Sequence, residues 1–142
     1  MLGGISGHAG LFTNSLELGV IMQMLINQGS YGGKQFFSPS TVRAFTSCQF
    51  PGSGNRRGLG FDKPLLNYKP ESPSCQSASP ESFGHSGFTG TYTWADPANG
   101  LVYVFLSNRV CPSAANQKLR DMNIRTNIQQ VTYDLFEKFG VK

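Results

Sequence analysis

Phe83-Gly84-His85-Ser86-Gly87-Phe88-Thr89-Gly90-Thr91, running on through Tyr92-Thr93-Trp94-Ala95, sets three glycines among β-branched and aromatic residues. Such a pattern predicts a strand whose backbone something else approaches closely. Asp96-Pro97-Ala98-Asn99-Gly100 carries turn residues, and Leu101-Val102-Tyr103-Val104-Phe105-Leu106 is a continuous run of apolar β-formers. Together they predict an antiparallel β-hairpin across residues 83–110, set in a buried sheet.

The rest of the chain limits what such a sheet can belong to. Its 142 residues suit one domain with a real core and are too few for two. The formal net charge is +4, but the twelve Lys and Arg are scattered, with Arg56-Arg57 the sole adjacent pair. No nucleic-acid partner is expected from so dispersed a charge. Cys48, Cys75 and Cys111 lack metal-ligand spacing, so no metal is expected, and one disulfide or three free thiols both fit. No apolar run reaches the roughly 18 residues that suggest a membrane span, and Met1-Leu2-Gly3-Gly4 lacks the regions of a signal peptide. An export address, if there is one, lies outside these residues.

The opening Gly3-Gly4-Ile5-Ser6-Gly7-His8-Ala9-Gly10 fits neither a phosphate loop nor a dinucleotide fingerprint, since no strand precedes it and no Gly-Lys-Ser/Thr follows. No cofactor is expected, and His8 is read as a hydrogen-bonded structural histidine. Asn14-Ser15-Leu16-Glu17 predicts a capped helix from about Ser15 to Gln28, with Leu16, Val20 and Met24 on one stripe, Ile21 and Leu25 on its neighbour, and Gly29 as the stop. Ser38-Pro39 predicts a second, short helix to about Thr46, with Val42 and Phe45 inward. Phe50 to Arg57 reads as loop. Prolines 70, 73 and 80 predict a long exposed loop over 67–82. Ile124, Ile128, Val131, Leu135 and Phe139 recur at helical spacing, which predicts a closing helix within 121–140 with that stripe buried and Gly140 as its end.

His85-Ser86-Gly87, opening a strand after a Ser/Pro-rich loop, resembles the third motif of the β-lactamase-like serine hydrolases, which include penicillin-binding proteins, class C β-lactamases and related esterases. Gly84 before it, Phe88-Thr89-Gly90-Thr91 after it and the segment Gly7-His8-Ala9-Gly10-Leu11-Phe12-Thr13 strengthen the likeness, and Gly58-Leu59-Gly60-Phe61 resembles the Gly-Leu-Gly-aromatic strand that precedes the third motif in these hydrolases, which implies a short strand within 58–66, ended by Pro64. The run from Gly90 to Asp96-Pro97, through Leu106-Ser107-Asn108-Arg109 to Asn123-Ile124-Arg125-Thr126, resembles a subgroup fused to glycoside hydrolase family 3 β-N-acetylglucosaminidase-like domains in bacterial envelope proteins. The resemblance implies an α+β fold, with an antiparallel sheet and flanking helices, and covers the C-terminal portion of the β-lactamase/transpeptidase-like domain.

It also implies roles. His85 would take the Lys/His place as a positive or hydrogen-bonding tip, and Ser86 would bind the same substrate carboxylate. Gly87 would let substrate lie against the strand edge, Phe88 would lend its backbone N–H to an oxyanion hole, and Thr89 would line the substrate site. Substrates would be peptidoglycan peptides, D-amino-acid amides or esters, or β-lactams, in the bacterial periplasm or cell envelope. The family's nucleophile is missing: the residues three before each lysine are Tyr31, Gly60, Leu66, Ala115, Leu135 and Phe139, so no Ser-x-x-Lys occurs, nor any Tyr-x-Asn. Ser53-Gly54-Asn55 matches Ser-x-Asn, but its glycine-rich turn on the wrong side of the helix pair marks it as coincidence. The chain alone is therefore expected to be inactive, and to bind the missing N-terminal half of the domain or to form a homo-oligomer. A non-catalytic module binding cell-wall fragments, or a structural interaction module, is the other reading.

Overall fold

A computed structural model describes residue 6 and residues 9–140. Helix α1, Ser15–Ile26, starts where the Asn14 side chain accepts from the Glu17 N–H at 3.0 Å, while the Thr13 hydroxyl holds the Glu17 carboxylate. It stops short of Gln28 because Gln28 and Gly29 take positive φ and the Gly29 N–H turns back to the Met24 carbonyl. A two-stranded ribbon, β1 (Ser30–Tyr31) and β2 (Lys34–Gln35), leads to α2, Pro39–Thr46, capped by Ser38. Val42 is buried, but Phe45, expected inward, is exposed.

No strand forms over 58–66. One bridge, Asp62 to Gly84, takes its place, with both backbone hydrogen bonds made at 2.7 and 3.0 Å. The stretch read as one long strand from Phe83 onward breaks at Gly87–Thr91, so that β3 (Phe83–Ser86), β4 (Tyr92–Asp96) and β5 (Leu101–Phe105) form a three-stranded antiparallel meander in sequence order. The Gly87 N–H donates to the Thr91 carbonyl and the Gly90 N–H to the Gly87 carbonyl. A tight turn thus closes within the motif, where the sequence pattern alone had suggested continuity. Gly84 is required because a Cβ there would strike the Trp94 ring and the Thr93 carbonyl.

The sheet is covered on both faces. One face sets Phe83, Ala95 and Val102 against Met22, Leu25 and Ile26 of α1. The other carries Tyr92, Trp94, Tyr103 and Phe105. Over this second face, after the short helix α3 (Lys118–Asp121), lies α4, Ile124–Phe139.

The phase of α4 overturns the expected stripe. Gln129 and Tyr133 are its buried residues, with Phe136 packed beside Cys75, Ala78 and Leu101, whereas Ile128, Val131, Leu135 and Phe139 are exposed. Polar capture outweighs apolar periodicity here. Gln129 Oε1 accepts from the Cys75 N–H and the Tyr92 hydroxyl, both at 2.9 Å, and the Gln130 amide brackets Ser77. These bonds also explain why the loop 67–82 is not uniformly exposed: Ser72, Ser74, Cys75, Ala78 and Ser82 are buried. All three cysteines are free thiols. No described helix is long and apolar enough to cross a membrane.

Candidate functional site

Ser86 stands directly opposite Tyr92 in the β3–β4 register, and His85 opposite Thr93. Successive strand residues leave opposite faces. Ser86 therefore shares the α4 face with Tyr92 and His85 points to the other, so the two side chains expected to meet one carboxylate are separated.

A cavity of about 430 Å³ opens on the Ser86 side, walled by Glu71, Ser72 and Pro73, by Tyr92, by Leu119, Arg120 and Asp121 of α3, and by Asn123, Arg125 and Thr126 at the start of α4. Arg120 lines it but is paired with Asp121 at 3.2 Å. Arg125 lines it as well, its guanidinium 5.8 Å from the centre of the Tyr92 ring, and no described carboxylate pairs with it. Burial pulls this guanidinium below its ordinary range, Tyr92 works against that pull, and Arg109 adds to it. A half-buried guanidinium with no ion-pair partner among the described residues offers its N–H groups to an anion, in a wall that also carries the Glu71 carboxylate.

On the other face, His85 is held at both ring nitrogens. Nδ1 lies 2.8 Å from the Ser86 carbonyl, and Nε2 lies 3.1 Å from Arg57 Nη1. Arg57 and Arg56 both reach the Asp62 carboxylate, at 3.5 and 2.8 Å. The Arg56-Arg57 pair, read from the sequence as loop, is thus tied to the motif strand; two adjacent arginines followed by an aspartate were the only signal.

The turn 87–90 is held from outside. Arg109 Nε donates to the Phe88 carbonyl at 2.8 Å, its Nη1 donates to the Ala114 and Asn116 carbonyls, and its charge sits 4.7 Å from the Phe88 ring centre. Phe88 is 73% exposed, and no described group accepts from its N–H. The amide expected to stabilise an oxyanion is therefore open to a ligand. Thr89 uses its carbonyl to take the Arg109 N–H and the Ser107 hydroxyl. A Cβ on Gly87 would meet Thr91 Oγ1, so any larger residue there would have to turn the Thr91 hydroxyl aside. Ser53 and Asn55 spend their polar atoms on their own turn: the Ser53 hydroxyl donates to the Phe50 carbonyl, and Asn55 Oδ1 accepts from the Arg57 N–H. His8 lies outside the described residues. Among those described, no three His, Cys, Asp or Glu side chains are grouped to hold a metal ion.

Residues 2–125 match the sequence model of the Beta-lactamase family. A protein of Escherichia coli O157:H7 named "Putative D-alanyl-D-alanine carboxypeptidase" is 38% identical over 134 residues, which is 93% of this chain and 30% of the relative. A protein of the same name from Salmonella enteritidis PT4 is 38% identical over 118 residues, 83% of this chain and 27% of the relative. The chain thus spans under a third of the length of these curated relatives. The fold is shared with the solved structure "Crystal structure of putative beta-lactamase from Bacteroides dorei DSM 17855", at TM-score 0.50 and 15% identity over 88% of this chain and 46% of that one.

Proposed function

The chain belongs to the beta-lactamase family, and from that premise we propose that it forms the third-motif wall of a serine hydrolase acting on peptidoglycan peptides, the attacking serine lying outside these residues. One observation carries this reading: the cavity that sets Ser86, from the motif, against Arg125, which no described carboxylate pairs. A peptide ending in D-alanine offers a carboxylate that this cation and hydroxyl suit, with a scissile carbonyl near the open Phe88 N–H. D-amino-acid amides or esters and β-lactams present related acyl groups. The relatives' names, D-alanyl-D-alanine carboxypeptidase, point the same way and support a cell-envelope setting.

The chain's own chemistry is limited to binding and polarisation. With no Ser-x-x-Lys there is no acyl-enzyme, because formation of one requires a hydroxyl and a base to take its proton. We further propose that the segment carrying the nucleophile adds to the open side of β5, which pairs only with β4 among the described residues. The test has two arms. A fluorophosphonate or fluorescent penicillin should leave the isolated chain unlabelled by mass spectrometry, and an acetylated D-alanyl-D-alanine peptide should bind the wild type at least about tenfold more tightly than Arg125→Ala, a difference near 1.4 kcal/mol. Stoichiometric acylation, or equal binding by the two proteins, overturns the reading.

A further inference from the structure

We propose that the fixed positive charge at the β3 wall is Arg57 and that, clamped by Asp62, it sets His85 as the neutral tautomer protonated at Nδ1. The argument is one of donors and acceptors. A guanidinium has five N–H donors and no acceptor, so the 3.1 Å contact between Arg57 Nη1 and His85 Nε2 requires a lone pair on Nε2. A carbonyl cannot donate, so the 2.8 Å contact between His85 Nδ1 and the Ser86 carbonyl requires the proton on Nδ1. Both ends of the ring give the same answer. A doubly protonated ring would turn an N–H toward a permanent cation and break the first contact.

Arg57 is itself held in place. Its Nη2 lies 3.5 Å from Asp62 Oδ2, and that carboxylate also takes Arg56 and the Lys63 N–H. Asp62 in turn is bridged backbone to backbone with Gly84, the residue before His85. The loop and the strand are therefore registered by the same residue that aims the guanidinium. His85 then acts as a positioned spacer with both nitrogens engaged, and an anion reaching this edge meets the remaining N–H groups of Arg57. Arg57 is a positioning residue for the imidazole. Its consequence for catalysis rests on the hydrolase reading, whereas the tautomer does not.

The test is a long-range ¹H–¹⁵N spectrum of the uniformly ¹⁵N-labelled full chain carrying His8→Gln, which leaves His85 as the sole imidazole, since the sequence has two histidines. At neutral pH the expected signature is a protonated Nδ1 and a bare Nε2. Arg57→Leu removes the donor at Nε2 and leaves the Ser86 carbonyl at Nδ1, so it should raise the Nε2–H population measurably above that of the wild type without abolishing the Nδ1–H form; Arg57→Lys, which can still donate, should keep the wild-type pattern. A wild-type spectrum with a protonated Nε2, or one unchanged by Arg57→Leu in a protein whose amide spectrum stays folded, overturns the proposal. If Arg57→Leu unfolds, the wild-type and Arg57→Lys spectra decide it. Failure of the acylation and peptide-binding arms would leave these spectra unaltered, so the two readings fail separately.

Discussion

The Tyr133 hydroxyl, on α4, donates to Asp96 Oδ2, at the end of β4, over 2.7 Å. Four more donors converge on the same carboxylate: the Ser79 N–H and hydroxyl, the Ala98 N–H and the Asn99 side-chain amide. One buried side chain thus joins the loop, the β4–β5 turn and the closing helix. Burial alone would raise the Asp96 carboxyl, but the hydrogen bonds from Ser79, Tyr133 and Asn99 outweigh it and hold it below its ordinary value.

Asp96→Asn turns an acceptor into a donor against N–H groups and should cost about 2–4 kcal/mol, whereas Tyr133→Phe, which removes one donor, should cost about 1 kcal/mol. A carboxyl depressed by folding adds stability that is complete above its unfolded value near 4 and is lost as pH falls through the folded value. Urea titrations should show wild-type stability falling below about pH 4, and Asp96→Asn should flatten that fall. An Asp96→Asn midpoint equal to the wild type would refute the network's weight.

Gln129 is 0% exposed and has only one oxygen to serve two donors on different elements. Its Nε2, together with Trp94 Nε1 and Ser74 Oγ, has no partner among the described residues, so the amide is held by its acceptor end. Gln129→Leu should cost about 2–3 kcal/mol by stranding the Cys75 N–H and the Tyr92 hydroxyl. In a double-mutant cycle with Tyr92→Phe the losses should fall short of additive by about 1 kcal/mol. Strict additivity would show that the Tyr92 hydroxyl does not depend on Gln129.

These two residues also show where the sequence was legible. Caps and stops are local, so Asn14, Ser38 and Gly140 could be read in place. The α4 stripe could not, because its phase is set by bonds 54 and 37 residues away, to Cys75 and Tyr92. A periodic apolar row records which faces could be buried, and the partner decides which one is. The motif strand shows the same division. His85-Ser86-Gly87 stands out as residues, but the turn at Gly87–Thr91, the split of His85 from Ser86 and the reach of Arg57 across 28 positions are tertiary facts.

Cysteine chemistry should follow burial. Burial pushes the Cys75 thiol up to about 11, backbone N–H groups offsetting part of the rise, while Cys111 is exposed. Iodoacetamide followed by peptide mass spectrometry should modify Cys111 first and Cys75 at least about a hundredfold more slowly, at a rate set by opening of the fold. A thiol raised by folding adds stability that is full below its ordinary value and is lost as pH rises through the folded one. Tyr92, Tyr133 and Tyr103, all raised first by burial, act in the same sense. Thermal midpoints should therefore drop between about pH 9 and 11, and Cys75→Ser should not mimic Cys111→Ser, which should be silent.

Arg109 ties the Phe88 turn to residues 114–116 through three hydrogen bonds and a ring contact. Arg109→Lys keeps the charge but loses the planar fork, and should speed hydrogen exchange at the Gly87 and Gly90 amides while costing only about 1 kcal/mol overall. Unchanged exchange at those amides would show that the turn holds itself.

The last prediction concerns what the sheet and α4 leave uncovered. β5 has one open edge, Leu16, Val20, Val102 and Val104 line a groove between it and α1, and Val131, Leu135 and Phe139 stand in solvent on α4. An open apolar strand edge flanked by apolar patches is sticky, because its N–H and C=O groups and its side chains all gain by leaving water. Light scattering after size exclusion should therefore show the isolated chain associating as its concentration rises into the high micromolar range. Leu16→Glu should weaken that association if the β5 groove is the contact, and Leu135→Glu should weaken it if the helix stripe is, while neither touches the Ser86–Arg125 cavity or its peptide binding. A wild-type chain that stays monomeric throughout would mean that these surfaces are satisfied without a partner, and the proposed addition of a strand to β5 would fall with them.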